Sequence, residues 1–313
     1  MSSDIVVVGS LNMDMVVTID RRPERGETLL GDDFFMSPGG KGANQAYAAG
    51  RLGASVSMVG MLGDDLFADK LLDNLSGAGV TTEHIAKVED MSSGIALITI
   101  DADGDNSIIV APGANQQMTP ERAQLMEEVI SEAKLILVQL EIPLDSVHEV
   151  VEIAHKHGVP VLLDPAPAQS LPEGLLRMVD YIVPNESENS QLTGIQVKDE
   201  ETAIEAGKKL LEMGVKTAVS KLGAQGVVIT EASGSTFVPG YRVNAVDTTA
   251  AGDAFAGAFA TALVAGKTLL EAAAFANAVG ALTVTRHGAQ VSMPDLKETE
   301  LFVEGLSQDK VSK

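Results

Sequence analysis

The chain has 313 residues, and 44 acidic against 22 basic side chains leave a formal charge of −22, with no cysteine. That length can bury a large core and suits one α/β domain rather than a small stapled module, and without cysteine there is no disulfide, no thiolate nucleophile and no cysteine-ligated zinc. So acidic a surface repels phosphate backbones, which argues against nucleic acid as a partner; any anion must be caught locally, as backbone amides at a helix N-terminus do whatever the net charge.

The opening MSSDIVVVGS shows no basic leader followed by a cleavable apolar core. Apolar runs such as Leu135 to Leu140 end within about six residues, far short of the roughly 20 of a membrane span. The expectation is a cytoplasmic protein with no membrane contact. DIVVVGS predicts a buried strand, LNMDMVVTID a turn and a second strand, and GGKGANQAYAAGRLG a glycine turn feeding a helix that stops near Gly50 to Gly53. Strand and helix signals then alternate: ASVSMVG with DLFADKLLDNLSGAG, LILVQLE with PLDSVHEVVEIAHKHG, VPVLLDPAPA and YIVPN with ESENSQLTG, and ETAIEAGKKLLEMG with KTAVSKLG. This is the rhythm of a mostly parallel sheet covered by helices.

One stretch breaks it. GIALITIDADGDNSIIVAPGAN is two β-branched runs around an Asp103-Gly104 turn, a hairpin signal with no helix between the strands. With Met15 to Ile19 it predicts a small separate sheet, a lid that would exclude water from a reaction that must avoid hydrolysis. No repeat or linker interrupts the chain, and the final GLSQDKVSK reads as a frayed tail. Ligands of open parallel sheets collect beyond the carboxyl ends of the strands. Asn12, Asp14, Glu141, Asp164, Asn185 and Gly223, which close the predicted strands, should therefore share one edge.

DTTAAGDAFAGAFATAL, from Asp247 to Leu263, carries the sharpest signal. Phe255, Phe259 and Leu263 recur every four residues, so a buried helical face starts just past Asp253, with Gly266 and Lys267 as the stop. Small residues at that start leave the amides of Ala250, Ala251, Gly252 and Asp253 unpaired, a site suited to an oxyanion or phosphoryl group. Asp253 would then take a proton from a substrate hydroxyl, as a weak base that the helix dipole keeps ionised. A glycine turn with an acidic cap explains the same residues.

SPGGKGANQA is not a Walker A loop, since Gly42 follows Lys41 and Phe35 stands where its first glycine belongs. Its glycines allow close backbone approach, and Lys41 and Asn44 are placed to hydrogen-bond a polyol; a structural tight turn is the alternative. In NESE, Asn185 and Glu188 project to one side of a helix start and suit a hydrated Mg²⁺, or form an ordinary capping pair. His148, His155 and His157 fit a solvated helix end, and His84 and His287 stand alone, so none is assigned to catalysis or zinc. Asn277, within the nearly apolar LLEAAAFANAVGALTV, faces a ligand or is a satisfied core amide. An NAD-linked dehydrogenase is disfavoured because no G-x-G-x-x-G follows the first strand.

Taken together, GGKGANQA, NESE and DTTAAGDAF, in that order and spacing from VVVGSLNMD to TRHGAQVSMP, resemble the ribokinase family of sugar kinases. The resemblance implies one α/β domain over residues 1–313, a doubly wound mostly parallel sheet flanked by helices, with a small β-sheet lid from about 14–35 and 94–111. It implies transfer of the ATP γ-phosphoryl group to the 5-hydroxyl of D-ribose, with deoxyribose, fructose or a nucleoside as alternative acceptors and a non-catalytic sugar-binding regulator as the rival of another class. By resemblance, Asp253 is the base and the amides of Ala250, Ala251, Gly252 and Asp253 the anion hole, while Asn12, Asp14, Gly40, Lys41, Asn44 and Glu141 bind sugar. Asn185 and Glu188 orient Mg²⁺ and phosphate, and Lys221, Gly223, Gly226, Gly252 and Asn277 border the nucleotide. Asp247, backbone carbonyls of Thr249, Thr283, Arg286 and Gly288, and Ser292 enclose a monovalent activator such as K⁺. A homodimer through the lid is implied as well. Two positions depart from the family pattern: Lys221 stands where Thr is common, and Met13, between Asn12 and Asp14, is bulkier than usual and bears on which sugar fits.

Overall fold

The computed structural model describes residues 3–102 and 105–311. A nine-stranded sheet runs in the order β13-β12-β11-β10-β9-β8-β1-β4-β5. Its members are β1 (Ile5–Val8), β4 (Val56–Gly63), β5 (Val80–Val88), β8 (Leu135–Val138), β9 (Val161–Leu163), β10 (Tyr181–Ile182), β11 (Thr217–Lys221), β12 (Gly226–Glu231) and β13 (Gly234–Pro239). All pairs from β5 across to β11 are parallel, and the last two pairings, β11 with β12 and β12 with β13, are antiparallel. β1 reads IVVV because a central parallel strand is covered on both faces. Ile5 and Val7 pack into the core beneath the helices α1 (Lys41–Arg51), α2 (Leu66–Gly77), α9 (Ala251–Val264) and α10 (Leu269–Thr283). Val6 and Val8 point the other way, toward α3 (Pro120–Leu125), α4 (Glu127–Ser131) and α5 (Leu144–His157). The remaining helices are α6 (Glu173–Leu176), α7 (Glu186–Thr193), α8 (Glu200–Glu212) and α11 (Leu296–Val311).

The lid is a four-stranded sheet in the order β3-β2-β6-β7, from β2 (Asn12–Thr18), β3 (Asp33–Gly39), β6 (Gly94–Ile100) and β7 (Asn106–Ala111). The predicted hairpin is present as β6 and β7, with Ile95 opposite Ala111 and Ile100 opposite Asn106; its Asp103-Gly104 turn lies outside the described residues. β3 carries the lid four residues past the expected limit at 35, ending at Gly39 directly before α1. The edge hairpin of β12 and β13 and the strand β5 were not anticipated. α11 ends at Val311, and the last two residues of the expected tail lie outside the described residues. Among the described residues no helix is long and apolar enough to cross a membrane.

β1 is flanked by β8 on one side and β4 on the other, so the strand order reverses there, the place where open α/β sheets leave a crevice beyond their carboxyl ends. Ser10, just beyond β1, donates its hydroxyl to Glu141 Oε2 at 2.6 Å, just beyond β8.

Candidate active site

α9 starts where Ala250 adopts φ 57°, a left-handed conformation uncommon for any residue with a Cβ and concentrated at functional turns. No side chain caps this end. The expectation of four free amides is corrected at one: Ala251 N donates to Thr248 O at 3.3 Å, while the amides of Ala250, Gly252 and Asp253 have no acceptor among the described residues. They form a compact donor set at the positive end of a 14-residue helix. A Cβ placed on Gly252 would stand 3.4 Å from Lys221 Nζ, so that ammonium hangs beside the same end.

Asp253, 6% exposed, lies in the first turn. Asn44 Nδ2 donates to its Oδ2 at 2.9 Å and Gln45 Nε2 to its Oδ1 at 3.2 Å. Burial pushes its pKa up, and although Lys41 and the Asn44 hydrogen bond oppose this, Asp164 and Glu141 add to the rise. The weak base expected from the helix dipole is therefore corrected. Loss of water on burial and then the carboxylates arriving from other strands raise the pKa, and Asp253 holds a proton more tightly than an ordinary aspartate.

Beneath the lid, Asp14 is buried on β2, and Gly39, opposite Asn12 on the neighbouring strand β3, leaves room for it: a Cβ there would fall 2.2 Å from Asp14 Oδ2. Burial, then the charges of Glu141 and Asp253, lift Asp14 from 3.8 to about 7 against the pull of Lys41. Asn12 Oδ1 accepts from Asn115 Nδ2 at 2.8 Å, and Gly40, at φ 89°, turns the chain so closely over β2 that a Cβ would sit 2.7 Å from Asn12 N. Glu141 Oε2 also accepts from Lys41 N at 3.1 Å. The Lys41 ammonium makes no direct ion pair among the described residues, yet Asp253 foremost, then Glu141, Asp164 and Glu188, outweigh its burial and hold it charged. Asn44 is tied on both arms, to Asp253 and, through Oδ1, to Gln290 Nε2 at 3.0 Å. Met13 is fully buried in the main core, where its bulk serves packing.

On the far side of Asp253 opens a cavity of about 690 Å³ lined by Lys41, Asn185, Glu188, Lys221, Gly223, Gly226, Ala250, Ala251, Gly252 and Asn277. Lys221 Nζ pairs with Asp164 Oδ1 at 3.2 Å, both nearly buried. Asn185 and Glu188 form a full capping box on α7, both Glu188 oxygens accepting from Asn185 at 2.8 Å. Burial raises the Glu188 pKa, with Lys221 opposing and Asp164 reinforcing. Asn277 lines the cavity, and its Nδ2 donates to Val238 O and Pro239 O at 3.2 Å each, so it is a satisfied amide at the cavity wall.

Behind α9, Asp247 Oδ1 accepts from Thr249 N and Oδ2 from Gly288 N, each at 2.9 Å. Burial alone would raise its pKa, but the hydrogen bonds from Thr249 and Gly288, with His287 nearby, hold it below the usual carboxylate range. Thr283 O accepts from Arg286 N, Ser292 Oγ donates to Ala289 O, and the Arg286 guanidinium is drawn away to Glu298 at 2.9 Å.

Residues 2–296 match the profile of the pfkB family carbohydrate kinase. The chain belongs to that family. It is 43% identical to the ribokinase of Bacillus subtilis, covering 95% of this chain and 98% of that one, and 40% identical to the ribokinase of Haemophilus influenzae over 97% and 99%. A deoxyribokinase of Salmonella typhi is 38% identical over 94% and 97%. Among solved structures, that of Arabidopsis thaliana ribokinase complexed with ribose and ATP shares 36% identity and a TM-score of 0.91, covering 96% of this chain and 99% of that one.

In this pfkB family kinase, sequence reasoning missed four side chains that complete the site: Ser10, Gln45, Asn115 and Gln290. Gln45 and Ser10 stood inside the quoted motifs, but only the fold brings Gln45 against two carboxylates and Ser10 against Glu141. Asp164 was collected at a strand end without a role, and the structure gives it one as the partner of Lys221 and Gln45.

Proposed function

We propose that this carbohydrate kinase is a ribokinase, transferring the γ-phosphoryl group of ATP to the 5-hydroxyl of D-ribose to give D-ribose 5-phosphate and ADP. The observation that carries the reading is the placement of the Asp253 carboxylate, between the polar pocket under the lid and the unpaired amides that open the larger cavity. Asp253 takes the hydroxyl proton, a role its raised proton affinity suits. The Ala250, Gly252 and Asp253 amides hold the phosphoryl oxygens, and the Ala251 turn fixes their direction. A loose transition state leaves the protein little else to supply. Asn12, Asp14, Gly40, Lys41, Asn44 and Glu141 engage the sugar hydroxyls, while Asn185, Lys221, Gly223, Gly226 and Asn277 border the nucleotide.

Mg²⁺ fits this site in one form. Among the described residues no three acidic or histidine side chains cluster to hold a metal. The Glu188 oxygens are already engaged by Asn185, which suits a hydrated ion carried mainly by phosphates and reached through water. Bound there, Mg²⁺ neutralises phosphate charge. A monovalent cation such as K⁺ fits the Asp247 region: carboxylate, hydroxyl and carbonyl oxygens of Asp247, Thr249, Thr283, Arg286, Gly288 and Ser292 suit a hard cation, and the Arg286 charge is turned away. The expected cytoplasmic location belongs to the same proposal, as does a homodimer through the lid, for which Phe34, Ile108 and Ile109 supply exposed apolar surface.

The test is ADP release from Mg-ATP with ribose, 2-deoxyribose, fructose and adenosine, each with K⁺ and with Na⁺. Turnover restricted to ribose and raised by K⁺ is expected; preference for another acceptor moves the substrate, and silence with every acceptor refutes the kinase reading. Asp253→Asn should nearly abolish turnover with the fold intact.

A further inference from the structure

We propose that Gln45 is a positioning residue of this site: its single amide group aims the Asp253 carboxylate at the reacting hydroxyl while holding the Asp164 carboxylate beside it. The proposal rests on reading Asp253 as the proton acceptor.

Gln45 is fully buried in α1, and its Nε2 donates to Asp164 Oδ2 at 2.8 Å and to Asp253 Oδ1 at 3.2 Å. An amide nitrogen carries two protons, and here each goes to a different carboxylate. The orientation is imposed from behind, because Gln139 Nε2 donates to Gln45 Oε1 at 2.6 Å. Turning the Gln45 amide over would set its carbonyl oxygen against two carboxylates and its NH₂ against another NH₂. Gln139 is itself fully buried, and its Oε1 has no partner. A buried carbonyl left unpaired is a cost the fold carries, so Gln139 is not there to satisfy itself. Room is made for it: a Cβ on Gly9 would fall 2.0 Å from that oxygen. Gly257, one turn after Asp253, lets α9 approach α1 closely enough for the reach, since a Cβ there would lie 2.5 Å from Gln45 O.

Five charged groups bear on Asp253: Lys41 from α1, Asp164 beyond β9, Glu141 beyond β8, Asp14 on β2 and, through Asp164, Lys221 on β11. Lys221 meets Asp164 on Oδ1, the oxygen that Gln45 does not use. Without the Gln45 amide, two carboxylates face one another with no donor between them. Asp253 then either keeps its proton or turns away from the acceptor.

Gln45→Met keeps the length of the side chain and removes both protons. At neutral pH its kcat should fall by roughly tenfold or more with KM for sugar and ATP changed less than about threefold, the split expected when only the reacting geometry is lost. The acid limb of its kcat profile should move to higher pH. Adding Asp164→Asn should bring that limb back down and restore part of kcat, because the repulsion is gone; a packing role would make the two losses add. An unchanged kcat, an unmoved acid limb or additive losses each overturn the proposal. Should Gln45→Met fail to fold, Gln139→Met carries the test, since it frees the Gln45 amide to turn without touching either carboxylate: a smaller shift in the same direction supports the proposal and no shift overturns it. Near-normal turnover in Asp253→Asn would remove the underlying reading, whereas an inactive Asp253→Asn beside a fully active Gln45→Met removes only this one.

Discussion

Replacing Asp14 with Asn should stabilise the free protein at alkaline pH while crippling it as a kinase. Asp14 is 9% exposed, and its pKa rises from 3.8 to about 7 because burial, Glu141 and Asp253 penalise its charge. A carboxyl whose folded pKa lies above its unfolded value binds more protons folded than unfolded between the two, so stability falls as pH climbs from about 4 to about 7. At 1.36 kcal/mol per unit the full penalty above pH 7 is roughly 4 kcal/mol, and about 2 kcal/mol after local relaxation and water entry. Asn has no charge to bury and keeps most of the shape. On a chain this long, 2 to 4 kcal/mol corresponds to roughly 3 to 6 °C in Tm. Melting the ligand-free proteins at pH 4 and pH 8 checks it: the advantage of Asp14→Asn should be small at pH 4 and open progressively toward pH 8, with sugar KM raised at least about tenfold. An advantage independent of pH would refute the reasoning, because it would mean that Asp14 carries no buried charge.

Gly39→Ala should lose sugar affinity with ATP affinity kept, measured as separate KM values, because the new methyl would meet the Asp14 carboxylate at 2.2 Å. Lys221→Thr should raise KM for ATP by roughly fivefold or more in steady-state kinetics, since it removes a cation from the α9 end and leaves Asp164 without its ion pair. Gly257→Ala should lower Tm by several degrees, at a cost of about 1 to 3 kcal/mol for forcing α1 and α9 apart in a filled core. Ile109→Lys, on the exposed face of β7, should shift the light-scattering mass toward one chain if the lid joins two copies, and a mass near one chain for the unaltered protein rejects that dimer.

The parallel half of the fold was legible because buried strands and amphipathic helices alternate, and periodicity reports burial directly. β12 and β13 escaped because GVVITEASGSTFVPG has no helix after it and only a Ser233-Gly234 turn signal, and their antiparallel pairing departs from the rhythm that surrounds them. Asp253, Glu188 and Asp14 were legible as residues, since a carboxylate beside a glycine turn or strand end is conspicuous. Their electrostatics were not. Asp253 sits at a helix N-terminus, which predicts an easily ionised acid; its proton affinity rises first because the fold buries it, and then because Asp164 and Glu141 reach it from beyond β9 and β8, separated by about a hundred residues of sequence. Gln45 was hidden for the same reason. In the sequence it is one polar residue in an alanine-rich helix, and only packing against α9 turns it into the donor between two carboxylates.

An acidic cluster at the centre of an acidic chain looks ill suited to a phosphate donor, yet the charges are divided by position. Asp14 and Glu141 lie on the side beneath the lid, the side proposed for the sugar, a neutral polyol with hydroxyl donors and no charge to repel. The opposite side presents the free amides of α9 and the ammonium of Lys221. Lys41 stands between them, held charged by carboxylates of both sides. Asp253 lies at the boundary, so the negative field that would repel a phosphate is instead expressed at the carboxylate proposed to accept the proton. Removing negative charge beneath the lid should therefore weaken the base as well as disturb the sugar: Glu141→Gln is expected to shift the acid limb of kcat to lower pH, and a variant that lost only sugar affinity with that limb unmoved would refute the coupling.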